Sequence, residues 1–363
     1  MLTRYSTDAR GRLRQKAVIY TKEEHRIPVE HIDKDAYSVV SHLRECGYDA
    51  YIVGGAVRDL LVGRNPKDFD IVTEATPSRI KRLFRNSRII GRRFRLVHVF
   101  FGEKIFEVST FRSTKSGSVG NEFGTMDEDV QRRDFTLNAL YYDPLREQVI
   151  DYVGGVSDIR KGILRPVIPL DRIFEEDPVR MLRAVKYSVT TGCRIPFALR
   201  HKIRRCAPLL SPVSPSRLTE EMLKIVNGGH SYDIVREALD TDLYMHLQPA
   251  AYAMMYDDKH FERAYMESLR ALDELVARES DARLGKKLMF FVRDFIAGLT
   301  DWQKEAESQA VASDLYLKTW TQVRQFVLPI NPQRTELEYA IRESLRALGV
   351  SVKIPKRMFA DKK

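Results

Sequence analysis

The segment GGAVRDLLVGRNPKDFDIV, residues 54–72, constrains the fold more than any other part of the chain. An apolar run, Tyr48–Val53, ends at its glycine pair, and a second run, Phe69–Val72, closes it. The pattern predicts a strand, a short helix and another strand, with Asp68 and Asp70 on either side of Phe69. Because side chains at positions i and i+2 of a strand point to the same face, the two carboxylates would project side by side.

This carboxylate pair is a candidate metal site. Two adjacent carboxylates raise each other's pKa unless a cation lies between them. Mg²⁺ commonly takes one or two protein carboxylates together with substrate phosphates, as two-metal phosphoryl or nucleotidyl transfer requires. Glycines at 54 and 55 would let the backbone approach phosphates, and the helix that follows would offer N–H groups to an anion. Each motif alone is usually a plain turn, but their order and spacing together favour a catalytic site.

A third carboxylate, Glu107, lies in the predicted strand Lys104–Phe111. It faces either solvent or a site, and Ser109 shares its face of the strand. The aspartate pair favours the site, because a third acid on a neighbouring strand would complete a metal-binding cluster.

The pattern of apolar residues changes along the chain. Alternation around Gly102-Glu103 predicts a β-hairpin of Phe94–Phe101 and Lys104–Phe111. Further strands are predicted at 141–142 and 149–153, helices at His31–Cys46 and Pro77–Phe84, and a mobile loop at 112–127. Helical periodicity dominates from about residue 170. We therefore expect an α+β fold, in which a small α+β domain precedes an all-helical region.

Charge and composition restrict the partners. A formal net charge of +10 favours nucleic acid or a nucleotide polyphosphate, although a generally basic protein would show the same surplus. The three cysteines are scattered, which predicts neither a disulfide framework nor a zinc site and suits a reducing compartment. The polar, basic N-terminus does not resemble a secretory signal, and the apolar stretch Leu288–Leu299 is too short and too charged to span a bilayer. We expect a cytoplasmic protein without membrane contact.

Four more blocks follow in order: FEVSTFR at 106–112, RRDFTLNALYYD at 132–143, DYVGG at 151–155 and EEDPVRMLRAVKY at 175–187. With the opening segment they resemble the signature of class II nucleotidyltransferases of the polymerase-β superfamily, which contains bacterial CCA-adding enzymes and bacterial poly(A) polymerases. The resemblance covers about residues 36–230. It implies a nucleotidyltransferase head or palm domain (31–165) and a helical neck for base recognition and RNA binding (166–230). From the residue pattern itself we expect a basic, weakly ordered N-terminal arm (1–30) before them and a helical body (231–363) after them, which is predicted to bind RNA.

The resemblance also implies roles for individual residues. Asp68 and Asp70 would bind the catalytic Mg²⁺ ions, with Glu107 as the third metal ligand. Asp134 would join the two aspartates as a catalytic residue. ATP would be the substrate, and the implied nucleotide contacts are Gly55, Arg58, Arg133, Asp177, Arg180 and Arg183. Of these, Asp177 and Arg180 would read the base edge, and Arg183 would reach the triphosphate.

Two of these blocks also have structural explanations. On a continuous helix Asp177, Arg180 and Arg183 would share one side, which is equally typical of a surface helix with i,i+3 ion pairs. In RRDFTLNAL, the apolar residues could simply pack a core and leave Arg132 and Arg133 solvated. The family has arginine where this chain has Lys186. Lysine keeps the positive charge but lacks the planar guanidinium group with its paired N–H donors.

The block IIGRRFRLVHV at 89–99 favours one activity within the family. Gly91, Arg92, Arg93, Phe94 and His98 resemble the poly(A) polymerase version, although a solvated basic turn would look the same. We therefore predict addition of AMP from ATP to RNA 3′ ends, in mRNA, other transcripts or tRNA; the alternative is a CCA-adding tRNA nucleotidyltransferase. The C-terminus, KIPKRMFADKK, is basic but short for such polymerases. Either the affinity for RNA would be weaker, or RNA binding would depend on basic residues of the N-terminal arm: Arg4, Arg10, Arg12, Arg14 and Lys16.

Two other classes of protein remain as alternatives. A non-catalytic RNA-binding protein on the same scaffold would not need intact Asp68 and Asp70. A metal-dependent phosphohydrolase would need paired His and Asp ligands in the helical half, whose histidines lack such pairing: His201, His230, His246 and His260. The sequence does not indicate an oligomeric state.

Overall fold

The computed structural model describes residues 2–7, 13–91, 95–115, 122–302, 304 and 312–350. The chain divides into two compact units. The first comprises Met1–Arg180 and Thr190–Leu199, and the second comprises Met181–Val189 and Arg200–Lys363. The four-part organisation expected from the sequence stays a prediction.

The first unit is built on one mixed sheet. Its described strands are β1 (Leu2–Thr7), β2 (Leu13–Tyr20), β3 (Ala50–Val53), β4 (Asp70–Thr73), β5 (Ser87–Ile90), β6 (Leu96–Phe101), β7 (Lys104–Thr110), β8 (Leu140–Asp143) and β9 (Gln148–Asp151). Across the sheet the order is β1-β2-β9-β8-β3-β4-β7-β6-β5. Neighbouring strands are antiparallel, except that β4 and β7 are parallel.

Helices of the first unit lie between these strands and after the last of them. They are α1 (Lys22–His25), α2 (Lys34–Glu45), α3 (Gly55–Leu61), α4 (Pro77–Leu83), α5 (Met126–Gln131), α6 (Gly155–Lys161) and α7 (Ile173–Glu176), with short 3₁₀ turns at Val29–His31 and Thr136–Asn138. Two further helices, α8 (Arg180–Thr191) and α9 (Phe197–Cys206), have residues in both units. The start of α2 is fixed by Asp33, whose carboxylate accepts hydrogen bonds from the N–H groups of residues 35 and 36.

Both faces of the sheet are buried along its central strands. The first core cluster contains Ile52 and Ile71 from the sheet together with apolar residues of α2, α3 and α4. The second core cluster contains Val53, Val72 and Tyr141 and lies on the opposite face, because alternate strand residues point to opposite sides. By the same alternation, Asp70 belongs to the face of the second cluster.

The N-terminal arm departs from the expectation of weak order, which is wrong for Leu2–Thr7 and Leu13–Tyr20. These segments form β1 and β2, and β2 pairs with β9, so that Ile19 lies opposite Ile150. The reason is apolar burial: Ala17 and Ile19 alternate along β2 and both belong to the second core cluster.

Most other elements lie within a few residues of their predicted positions, and the predicted α+β class is confirmed. The helix predicted from His31 begins at Lys34, and the strand predicted from Tyr48 begins at Ala50. The strand β5 was not predicted. The loop predicted for 112–127 ends earlier, since α5 begins at Met126, and residues 116–121 lie outside the described part of the chain.

In the second unit, the regular secondary structure of the described residues is entirely helical. Beyond α8 and α9 it contains α10 (Pro215–Val226), α11 (Ser231–Asp240), α12 (Tyr244–Leu247), α13 (Pro249–Asp257), α14 (Lys259–Arg278), α15 (Leu284–Ala297), α16 (Ala312–Phe326) and α17 (Arg334–Ala347). Its interior includes the fully buried Tyr244 and Tyr265, whose hydroxyl oxygens are 2.7 Å apart. Among the described helices, none combines the length and hydropathy that a membrane-crossing helix needs.

Candidate active site

Asp68 and Asp70 are both exposed, while Phe69 between them is packed in the first core cluster. Asp70 begins β4, where it lies opposite Val53, the last residue of β3. In the parallel pair β4–β7, Ile71 is registered with Val108, so the preceding residues, Asp70 and Glu107, stand at the same level of adjacent strands. Asp70 and Glu107 therefore lie on the same face of adjacent strands, whereas Asp68 precedes β4, so the side-by-side arrangement of Asp68 and Asp70 stays a prediction.

Glu107 is exposed, and its Oε1 lies 3.5 Å from Nε2 of His98 on β6. Within the described residues, no group of three or more His, Cys, Asp or Glu side chains is close enough to hold a metal ion. The structure thus has two neighbouring aspartates with a glutamate on the next strand, and Glu107 as a third metal ligand stays a prediction.

The glycine turn, Gly54–Gly55, connects β3 to α3 and so begins beside Asp70. Gly54 has φ +72° and ψ −126°, a conformation that side-chain-bearing residues rarely adopt. A Cβ added at Gly54 would lie 3.6 Å from Nη1 of Arg133, and one added at Gly55 would lie 3.6 Å from Nη2 of Arg58. Two guanidinium groups therefore lie against this turn.

Arg58 is held by a hydrogen-bond network that includes Asp134. Its Nη1 donates to Oδ1 of Asn138 at 2.8 Å, and its Nε donates to Oδ1 of Asp59 at 2.8 Å. The amide of Asn138 in turn donates to Oδ1 of Asp134 at 3.3 Å, an oxygen that also accepts from the N–H of Phe135 at 2.7 Å. Asn138 was missed by the sequence reasoning, although its polar side chain inside the apolar run TLNAL is a visible signal.

Arg133 is held by a second pair of residues that the sequence did not single out. Its Nη2 lies 2.8 Å from Oδ2 of Asp129, and its Nε donates to the hydroxyl of Tyr141 at 3.1 Å. Burial opposes the charge of Arg133, but Tyr141 and Asp129 outweigh it and raise its pKa. Burial alone would raise the pKa of Asp129. The positive charge of Arg133 and the hydrogen bonds to Asp129 together have the larger opposite effect, so the pKa of Asp129 is lowered. The arginine therefore stays charged beside the glycine turn.

The structural explanation of RRDFTLNAL is correct for its apolar residues and wrong for its arginines. Phe135, Leu137 and Leu140 are fully buried. Arg132 is only 6% exposed, and its Nη1 donates to the carbonyl oxygen of Ser113 at 2.9 Å. The block thus packs a core and also supplies polar groups to the site.

Asp177 does not lie on a continuous helix with Arg180, and that prediction is wrong. Helix α7 ends at Glu176, Asp177 is extended with φ −151° and ψ 98°, and α8 begins at Arg180. The cause is Pro178, because proline disfavours helical geometry in the residue before it. Both side chains are buried; Oδ1 of Asp177 accepts from the N–H of Val179 at 3.2 Å, and Nη1 of Arg180 donates to Glu176 at 3.4 Å.

Arg183 and Lys186 belong to the second unit, where both bind Glu221 of α10. Nε of Arg183 lies 3.2 Å from Oε1 of Glu221, and Nζ of Lys186 lies 3.2 Å from its Oε2. Lys224 adds a third cation at 3.1 Å. Burial opposes the charge of Glu221, but these three cations outweigh it and lower its pKa to about 2.

Several predicted basic residues lie outside the described part of the chain: Arg92, Arg93, Arg10, Arg12 and residues 353–363. Gly91 and His98 lie on either side of the undescribed residues of the block IIGRRFRLVHV, 89–99. His98 lies opposite Glu107 where β6 pairs with β7. In the N-terminal strands, Lys16 forms an ion pair with Asp127 at 2.5 Å.

Comparison with known proteins identifies the fold of the first unit. Residues 50–165 match the family described as the poly A polymerase head domain, and residues 193–255 match the probable RNA and SrmB-binding site of polymerase A. Poly(A) polymerase I of Escherichia coli O6:H1 is 38% identical over 316 residues, which span 82% of this chain and 68% of that protein. The chain belongs to the poly(A) polymerase and tRNA nucleotidyltransferase family. It is accordingly a nucleotidyltransferase, with the polymerase-type head domain expected from the sequence.

CCA-adding enzymes are relatives within the same family. The CCA-adding enzyme of Lactobacillus helveticus is 38% identical over 215 residues, which span 57% of this chain and 53% of that protein. A crystal structure of the Bacillus stearothermophilus CCA-adding enzyme in complex with CTP has a TM-score of 0.56 and 27% identity, covering 87% of this chain and 78% of that one. The family therefore fixes nucleotidyl transfer but not the nucleotide that is added.

Proposed function

We propose that this nucleotidyltransferase is a template-independent poly(A) polymerase that transfers AMP from ATP to the 3′ end of RNA. One observation carries the chemistry: Asp70 lies directly opposite Val53, so this exposed aspartate stands beside the glycine turn and its two arginines. A site with carboxylates next to guanidinium groups suits a metal-bound nucleoside triphosphate. The longer match to poly(A) polymerase I than to the CCA-adding relative supports adenylate as the product.

The donor set at Asp68 and Asp70 fits Mg²⁺. Both side chains are exposed, offer only oxygen atoms and sit next to groups that would bind phosphates. Bound there with the substrate phosphates, Mg²⁺ would supply charge neutralisation and activation of the RNA hydroxyl. Glu107, at the level of Asp70 on the adjacent strand, is the proposed third ligand.

The remaining site residues would bind and orient the nucleotide. Arg58 and Arg133 would hold the triphosphate beside Gly55, while Asp134 would keep Asn138, and through it Arg58, in place. In the reaction, the RNA 3′ oxygen bonds to the α-phosphorus, the bond from that phosphorus to the bridging oxygen breaks, and pyrophosphate leaves. Catalysis by the protein is then mainly positioning and charge stabilisation.

Base selection would depend on side chains, because no template is used. Asp177 and Arg180 are proposed to offer an acceptor and donors to the adenine edge. Arg183 is proposed to contact the triphosphate, with its guanidinium oriented by Glu221.

The alternative is CCA addition, which the CCA-adding relatives favour. The test incubates the protein with single nucleotides and with mixtures, on a generic RNA and on a tRNA that lacks its 3′ end. A poly(A) polymerase extends both RNAs by many residues with ATP alone. A requirement for CTP, a preference for the tRNA and arrest after three additions would overturn the proposal in favour of the alternative.

A further inference from the structure

Asp129 is a buried carboxylate directly behind Arg133, and the proposed reaction gives it no role. Its side chain is 8% exposed. Its Oδ2 accepts from Nη2 of Arg133 at 2.8 Å, from Nε of Arg133 at 3.2 Å and from the hydroxyl of Tyr141 at 2.7 Å. Its Oδ1 accepts from the backbone N–H of Arg112 at 3.3 Å. Both oxygens of the carboxylate are therefore engaged.

These contacts fix the guanidinium of Arg133 from two secondary-structure elements. Asp129 belongs to α5, and Tyr141 is a fully buried residue of β8 whose ring centroid lies 5.1 Å from Cζ of Arg133. The opposite edge of the guanidinium, Nη1, is the edge that faces Gly54. The Arg133 side chain keeps 21% of its surface exposed, so a ligand at the glycine turn could still reach it.

Arg112, Arg132 and Arg133 all interact electrostatically with the Asp129 carboxylate. Burial lowers the pKa of Arg112 to about 10, an effect that Asp129 opposes. Of these three arginines, Arg133 lies next to the close-approach glycine turn, where a guanidinium group suits a polyphosphate.

We propose that Asp129, together with Tyr141, is a positioning residue that holds Arg133 against the glycine turn for the triphosphate of the incoming nucleotide. The inference rests on the proposed function, because it assigns Arg133 to the nucleotide. It differs from a purely structural role for Asp129, which would neutralise a buried arginine without affecting ligand affinity.

The test measures equilibrium binding of ATP to Asp129→Asn in the absence of RNA. Asparagine keeps the shape but cannot accept the same hydrogen bonds, so the Kd for ATP is expected to rise about tenfold. The KM for ATP should rise by the same factor, while the KM for RNA and the preference for ATP over CTP stay unchanged. The matched control is Asp143→Asn, another buried aspartate, which binds Nη2 of Arg44 at 2.9 Å and should leave the Kd for ATP unaltered.

A double-mutant cycle identifies the residue through which Asp129 acts. Arg133→Lys keeps the positive charge but removes the planar guanidinium group with its paired N–H donors. If Asp129 acts through Arg133, the double variant Asp129→Asn/Arg133→Lys should bind ATP no more weakly than Arg133→Lys alone. Additive losses would overturn the proposal, and so would a lower melting temperature of Asp129→Asn with an unchanged Kd. If Asp129→Asn fails to fold, the same comparison is made with Tyr141→Phe, which removes only the hydroxyl group. The Kd for ATP is then expected to rise by a smaller factor. Because these are binding measurements, they stay decisive even if the wild-type protein does not extend RNA.

Discussion

At the scale of single residues, the site depends on exposed acids supported by buried neighbours. Asp68 and Asp70 reach solvent because Phe69 between them is anchored in the core. Gly54 lets the chain turn sharply next to them, and Arg133 occupies the space beside that turn. Packing and backbone geometry therefore help to hold the reactive groups in place.

Replacing either Asp68 or Asp70 by Ala should reduce turnover by roughly 1,000-fold or more, because the proposed metal would lose a ligand and the developing charge would be left unneutralised. Both positions are exposed, so the folded state should persist. The measurements are single-turnover AMP incorporation and circular dichroism. The control is Asp35→Asn, which changes a half-buried aspartate that binds Lys104 and should be fully active. Near-normal activity in both Asp68→Ala and Asp70→Ala would contradict the proposed metal site.

Gly54→Ala should destabilise the protein by about 1–3 kcal/mol, because a side chain is strained at φ +72° and ψ −126°. Gly55→Ala is the matched control. Gly55 is helical, and its added Cβ would make only ordinary contacts, so its free energy of unfolding should be unchanged or slightly higher. Urea unfolding measures both. Equal stabilities of the two variants would contradict the backbone explanation.

At the scale of helices and strands, pairing brings distant sequence blocks together. Asp70 and Glu107 become neighbours only because β4 and β7 pair in parallel, which requires β5 and β6 to be added on the outer side of β7. In the second unit, α8 and α10 are joined by the ion pairs of Arg183 and Lys186 with Glu221. That carboxylate is 3% exposed, so its contribution to stability should depend on pH.

Glu221 titrates near 4.5 when unperturbed and at about 2 in the folded protein. A lowered folded-state pKa gives stability that is present above pH 4.5 and is lost as the pH falls towards 2. The difference in unfolding free energy between wild type and Glu221→Gln should therefore be largest near neutral pH, at about 3 kcal/mol, and should vanish near pH 2. Chemical denaturation across this range is the measurement. The control is Glu220→Gln, because the side chain of Glu220 is largely exposed. If the loss of stability in Glu221→Gln did not change with pH, the ion pairs of Glu221 could not be its cause.

At the scale of the whole molecule, the charge of +10 and the polymerase-type head domain point to the same partner. The charge surplus attracts any polyanion, whereas membership of the family identifies the reaction as nucleotidyl transfer. Residues 193–255, which match the probable RNA-binding family, include several exposed basic side chains. RNA binding by this chain should therefore be largely electrostatic.

The Kd for a single-stranded RNA should rise at least about tenfold between roughly 50 and 200 mM KCl, because neutralised phosphates release counterions. Filter binding or fluorescence anisotropy at several salt concentrations gives the slope. An uncharged RNA analogue of the same length serves as the control and should bind weakly at every salt concentration. An RNA affinity that does not depend on salt would mean that the charge surplus is not used for RNA binding.

The sequence alone determined the α+β class, the position of the aspartate pair and the family, because ordered motifs and short-range periodicity are local properties. It also contained signals that were overlooked, such as the alternation in β2 and the proline that keeps Asp177 out of a helix. Tertiary structure decided which residues support the site: Asn138 links Arg58 to Asp134, and Asp129 with Tyr141 holds Arg133. These partners could not be predicted because their contacts depend on strand order and on how α5 packs on the sheet, and no local pattern of residues encodes either.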